Sequence, residues 1–218
     1  MSRLSWIQDE VLEDIVDEIL NRALSAQQNS IQRLEKNVID PFSSLFLAKA
    51  SDITNQKNLK RVQGYHTISS AISNAIGYLH QKVIGSIDGF IDYDSGYDIE
   101  STNRKIIAEI KNKHNTMNSS NRDKVISDLD IAIKQKQNGW VAYLVIIIPK
   151  TPKRYKTQLS KRQVYEVDGT TFYEIATESK TAMRDLFYAV MDILDSRKPL
   201  GSSVVKYCEN VLKEGIPE

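Results

Sequence analysis

Tyr97-Asp-Ile-Glu-Ser-Thr-Asn-Arg-Lys-Ile-Ile-Ala-Glu-Ile-Lys-Asn-Lys-His-Asn115 is the stretch on which the reading of this chain turns. Ser101 to Lys105 is polar and turn-like, and Ile106 to Lys111 is a compact, mostly apolar run of strand length. A turn centred on Asn103 and Arg104 sets Thr102 opposite Lys105, Ile99 opposite Ala108 and Asp98 opposite Glu109. Directly opposed Cβ atoms lie roughly 4.5–5.5 Å apart. Alternation puts Glu109 and Lys111 on one face, so Asp98, Glu109 and Lys111 converge. Two carboxylates that close repel unless a cation or a proton lies between them. Hard oxygen ligands of this kind suit Mg²⁺, which takes one or two carboxylates and keeps several waters. The competing reading is a solvated strand edge that happens to carry acids. Glu-x-Lys also occurs at Glu178-Ser-Lys180, where it opens an expected helix with no strand around it, so the weight rests on the Asp partner in register and the apolar strand.

Composition bounds the rest. The chain has 218 residues, 41% hydrophobic and 26% charged, which fits one substantial core, or one domain with a helical appendage. No apolar run approaches a membrane span, and Met-Ser-Arg-Leu-Ser-Trp at the start carries no secretory signal. The single cysteine, Cys208, excludes an internal disulfide and a cysteine zinc site; its apolar helical surroundings mark it as a buried spectator. A cytoplasmic protein is expected. The net charge of +1 hides an asymmetry. Ser101 to Gln163 holds 14 Lys/Arg against 4 Asp/Glu, a net of +10, which leaves 15 against 24, or −9, elsewhere. That is the pattern of a polyanion-binding face on a nearly neutral protein.

Leu4, Ile7, Val11, Ile15 and Ile19 recur at helical spacing and predict a helix over about 5–24. A second helical stretch is expected over about 26–37, a short one over 42–50, and a loop or fraying helix over 52–64. Ile68, Ile72, Ala75, Ile76, Leu79 and Val83 predict a helix over 66–83 that Gly85 ends. Ser86 to Tyr93 reads as a strand before the hairpin. Ser120-Asn-Arg-Asp123 resembles a capping box before Val125, Leu129 and Ile133. Trp140 to Ile148 is the most hydrophobic strand, expected at the centre of a mixed sheet. Gln163–Asp168 and Thr171–Ala176 read as a second hairpin around Asp168-Gly169, with closing helices over 179–196 and 203–213. The order predicts an α/β (α+β) fold with a mixed central sheet flanked by helices.

Two polar segments are candidates for nucleic-acid contact. Asn112 to Arg122 is rich in Asn, Ser, Lys and His; its Asn amides suit adenine edges and its cations guanine or phosphate. Lys113, His114, Asn115, Asn118 and Arg122 are the candidates here, against a solvated loop and helix cap. Lys150 to Arg162 carries six cations and no acid; Lys153, Arg154, Lys156, Lys161 and Arg162 are read as phosphate contacts of an embracing loop. Asp92-Tyr-Asp94-Ser-Gly96-Tyr-Asp98 fails the EF-hand pattern at Gly96 and at Asn103, but Asp92 and Asp94 stay secondary metal candidates.

Asp98, ten intervening residues and Glu109-Ile-Lys111, set in a helix–three strands–helix–strand order, resemble the PD-(D/E)xK nuclease superfamily, and within it the type II restriction endonucleases. Ala108-Glu-Ile-Lys-Asn-Lys-His-Asn-Thr-Met-Asn118, with Tyr65-His-Thr-Ile-Ser69 upstream, is similar to a group of such enzymes that cut GGNCC. The superfamily match covers about 65–149. The chain is expected to be a single domain, 1–218, with an N-terminal helical segment over 1–64, a nuclease core over 65–176 and C-terminal helices over 177–218. The resemblance implies Mg²⁺ held by Asp98, Glu109 and the Ile110 carbonyl, with Lys111 beside the attacking water in a positioning role, and double-stranded DNA as substrate. Palindromic targets imply a homodimer. Tyr97 stands where the motif often has Pro. The helix over 66–83 contains no acid, which favours one metal ion over two. The alternatives are a structure-specific repair or junction nuclease and a non-catalytic DNA-binding protein with a nuclease-like fold.

Overall fold

A computed structural model describes residues 2–30, 39–93, 95–136 and 139–217. The chain forms two compact units, one of residues 1–16 with 77–218 and one of residues 17–76. Among the described residues there are seven helices: α1 (Asp9–Gln28), α2 (Pro41–Ala50), α3 (Gln56–Gly85), α4 (Ser119–Gln135), α5 (Gly169–Thr177), α6 (Ala182–Arg197) and α7 (Ser202–Gly215). The strands are β1 (Ile91–Asp92), β2 (Ile99–Ser101), β3 (Ile106–Lys113), β4 (Val141–Ile148), β5 (Lys156–Ser160) and β6 (Val164–Asp168).

The larger unit is built on a six-stranded mixed sheet in the order β1-β2-β3-β4-β6-β5. Strands β1, β2 and β3 run antiparallel, β3, β4 and β6 run parallel, and β5 closes the far edge antiparallel. The expected α/β architecture is present. Strand β4 lies between two parallel neighbours, which explains its unbroken apolar run: both faces are covered and neither needs a polar residue. On one face Ile107, Ala142, Leu144, Ile146 and Val164 pack against Leu129 and Ile133 of α4. On the other, Tyr143 meets Phe172 of α5 edge-on, with centroids 5.6 Å apart.

The hairpin register holds. Ile99 pairs with Ala108 and Ser101 with Ile106, and Lys105 N–H closes the turn onto Thr102 O at 3.3 Å. Other expectations need correction. The strand over 86–93 shrinks to Ile91–Asp92, because Ser86 to Gly89 winds into turns off the end of α3, with Gly89 at φ +79°. The first helix starts at Asp9 and runs to Gln28. The expected stretch 26–37 lies for its greater part outside the described residues. The cap before α4 is Asn118, whose side chain accepts from Asn121 N–H, and not Ser120. Cys208 is half-buried rather than buried.

The second hairpin is absent: the chain turns from β6 directly into α5. Asp168 is fully buried and caps that helix, accepting Thr171 N–H at 2.9 Å and Thr171 Oγ at 2.6 Å. Its Oδ2 also accepts Tyr155 N–H at 2.7 Å. Asp-Gly serves a tight turn and a helix start equally well. Here Gly169 is needed for close approach: a Cβ would stand 2.6 Å from Ile147 O. The partner of β6 is β5, drawn from the basic segment expected to be loop.

In the smaller unit, Asp40 caps α2 with Pro41 in its first turn. The polar stretch over 52–64 is neither loop nor frayed end. Asn55 accepts Asn58 N–H at 3.0 Å, and α3 runs from Gln56 for 30 residues.

Candidate functional site

The site grows from the way the hairpin frays. Strand β2 starts at Ile99, so Asp98 sits one residue before it. Its N–H donates to Ala108 O at 3.0 Å, one residue out of the Ile99–Ala108 register, so the expected backbone pairing of Asp98 with Glu109 is not made and the two acids meet through their side chains. Its side chain then reaches along β3, and Oδ2 accepts Ile110 N–H at 2.7 Å. That bond takes the place of the next ladder bond, which β2 is too short to make.

Ile107, Glu109 and Lys111 share a face of β3. Ile107 is buried among the α4 contacts, whereas Glu109 and Lys111 are half-buried. The apolar face thus gives way to a polar one within a single strand. Lys111 Nζ pairs with Glu109 Oε1 at 2.6 Å. Asp98 and Glu109 line an open, polar cleft of about 360 Å³ together with Gln81, Tyr93, Gly96 and Tyr97. Burial, and then the charge of Glu109, push the Asp98 carboxyl up from 3.8 to about 6; the Ile110 N–H and Lys111 pull the other way. Asp98 is therefore a carboxylate whose charge is under-compensated. One oxygen of each acid is already committed, leaving Asp98 Oδ1 and Glu109 Oε2 for an incoming cation.

Among the described residues no cluster of three or more His, Cys, Asp or Glu side chains has the arrangement of a metal site. Two carboxylates fit Mg²⁺ all the same, since it keeps most of its water. Of the secondary candidates, Asp92 is engaged elsewhere: Gln81 donates to its Oδ1 at 2.6 Å and Lys82 forms an ion pair with its Oδ2. Asp94 lies outside the described residues.

The expected DNA contacts divide. Lys113 ends β3, and with His114 and Asn115 it lines a second, partly apolar cavity of about 530 Å³ together with Ile148, Phe187 and Tyr207. Asn118 is spent on capping α4. Arg122, in the first turn of α4, pairs with Glu166 of β6 at 2.9 Å. Arg154 pairs with Glu174 and donates to Lys180 O at 2.8 Å, and Arg162 pairs with Asp130. Lys156 lies over the Tyr165 ring at 4.3 Å. Lys153 and Lys161 are exposed. The basic segment is thus partly stitched to the body of the larger unit.

Sequence reasoning missed Gln81, Tyr93 and Tyr97 as cleft residues. The two tyrosines stack, with centroids 4.7 Å apart and planes 10° apart, and Tyr97 OH donates to Glu100. Their spacing around Gly96 was the available signal. Gln81 left none, because it joins the cleft from a different element.

Similarity to known proteins bears on the chain as a whole. The family profile described as Eco47II restriction endonuclease matches residues 4–197. The type II restriction enzyme Eco47II of Escherichia coli is 30% identical over 207 residues, covering 87% of this chain and 86% of that protein. The type II restriction enzyme Sau96I of Staphylococcus aureus is 27% identical over 229 residues, covering 94% and 87%.

Proposed function

We propose that this chain, which belongs to the Eco47II restriction endonuclease family, hydrolyses phosphodiester bonds of double-stranded DNA at a short specific site, with Mg²⁺, through Asp98, Glu109 and Lys111. The observation that carries this reading is the meeting of Asp98 and Glu109 in one polar cleft, with Lys111 on Glu109. Membership of a family of site-specific nucleases supplies the substrate class. The cleft supplies a place for the chemistry.

Asp98 Oδ1 and Glu109 Oε2 would hold the cation. The Ile110 carbonyl suits a third position: its N–H points to the Asp98 side of β3, and N–H and C=O of one strand residue face the same neighbour. When bound, Mg²⁺ neutralises charge on the scissile phosphate and acidifies a coordinated water. The protein's own residues do the rest. Asp98 and Glu109 must both be ionised, so protonation of Asp98 near pH 6 opposes binding. Lys111, held on Glu109 Oε1, would present its ammonium to the phosphate or the attacking water and orient it. The set acts as a PD-(D/E)xK-type centre with a single metal ion.

A palindromic target read by a two-fold homodimer fits this activity, and GGNCC is the target we propose from the resemblance of the Ala108–Asn118 run. Incubating the protein with plasmid and Mg²⁺, then sequencing fragment ends, tests all of this. Discrete fragments with GGNCC at every end are expected. Discrete ends at another sequence would overturn the target alone. Structure-dependent nicks, or a mobility shift without cleavage, would overturn the function.

A further inference from the structure

Gln81 enters the cleft from helix α3, and its place there is fixed by a chain of contacts that the hairpin does not explain. Gly85, four residues further along the helix, lies against β1: a Cβ there would stand 2.9 Å from Asp92 N and 3.1 Å from Asp92 Cβ. The missing side chain lets Asp92 come close under the last turn of α3. Asp92 then receives two donors from that turn, Gln81 Nε2 on Oδ1 at 2.6 Å and Lys82 Nζ on Oδ2. The Asp92 bond is the main reason the Lys82 ammonium is held more firmly protonated than usual.

This pairing settles which way the Gln81 amide points. An ionised Asp92 can only accept, so the amide NH₂ must face it. Flipping the amide would set two acceptor oxygens against each other. Oε1 is then the atom left over, on a side chain that lines the cleft beside Asp98 and Glu109. Lys82 and Asp92 thereby present a neutral acceptor oxygen to the same space as two carboxylates. A carboxylate in that place would add a third negative charge beside an Asp98 already raised by burial and by Glu109. An amide adds an oxygen and no charge.

We propose that Gln81 is a positioning residue of the site: its Oε1, oriented by Asp92 and Lys82, accepts a hydrogen bond from a water in the shell of the cation held by Asp98 and Glu109. The inference rests on the metal-site reading above. It assigns the amide a role that sequence spacing does not supply, since it comes from another element and carries no charge.

Mn²⁺ binding followed by electron paramagnetic resonance, without DNA, gives a readout separate from activity. In Gln81→Leu the Mn²⁺ Kd should weaken on the order of 10-fold and single-turnover cleavage should slow by about 10–100-fold. Mn²⁺ at saturating concentration should restore most of the cleavage rate of the variant. Gln81→Met keeps the length of the side chain and loses the amide oxygen; it should weaken Mn²⁺ binding as Gln81→Leu does, and it decides the matter if Gln81→Leu fails to fold by circular dichroism. A folded Gln81→Leu or Gln81→Met with wild-type Mn²⁺ affinity and rate overturns the inference. Failure of the parent reading looks different: Asp98→Asn would then bind Mn²⁺ as well as wild type does.

Discussion

Replacing Asp98 by Asn should make the metal-free protein more stable while abolishing cleavage. In the native state burial and the charge of Glu109 raise the Asp98 carboxyl from 3.8 to about 6. The folded protein therefore binds this proton more tightly than the unfolded chain does. The sign follows from linkage: stability falls as pH rises through the window from about 3.8 to about 6, and the cost is fully present above it. At 1.36 kcal/mol per pKa unit the ceiling is roughly 3 kcal/mol; residual solvation of a half-buried group lowers it to about 1–3 kcal/mol. Asn is uncharged, and its Oδ1 can still accept the Ile110 N–H that Asp98 Oδ2 accepts at 2.7 Å. The hairpin bond is kept and only the charge is lost. Urea unfolding in EDTA should show Asp98→Asn more stable than wild type by that amount at pH 8. The gap should shrink by about two-thirds at pH 4.5, where Asp98 is protonated in the native wild type and only the unfolded wild-type chain still ionises there. Adding Mg²⁺ at about 100 times its Kd should stabilise wild type by about 2.7 kcal/mol through mass action and leave the variant unmoved. Equal stability of the two proteins at pH 8, or a gap that persists unchanged at pH 4.5, would refute the reasoning.

Lys111→Ala should abolish cleavage with DNA affinity in Ca²⁺ nearly intact, measured by fluorescence anisotropy beside a gel assay; normal turnover would remove Lys111 from the chemistry. Charge reversal at Lys153 and Lys161, both exposed, should weaken DNA binding and reduce the slope of log K against log salt by about 2, whereas an unchanged slope would put the DNA elsewhere. Gly169→Ala sets a methyl 2.6 Å from Ile147 O and should cost on the order of 1–3 kcal/mol in urea unfolding; a neutral result would mean that α5 can shift away from β4.

The amino-acid sequence by itself carried the hairpin, its register and the meeting of Asp98 with Glu109. The reason is locality: a turn of fixed length pins a two-residue period, so facing partners follow by counting. It also carried β4, because a strand covered on both faces must be apolar throughout. It misplaced Asp168-Gly169, since the same pair serves a hairpin turn and a helix start. Two distant contacts decided between them, the Tyr155 N–H on Asp168 and the press of Ile147 O on Gly169. The basic run over 101–163 was visible as charge, but which cations are spent on Glu166, Glu174 and Asp130 depends on strands and helices far apart in the chain. Gln81 shows the limit most plainly. Nothing in its neighbours marks it, and it becomes a cleft residue only because Gly85 lets β1 lie against α3, so that Asp92 can turn its amide.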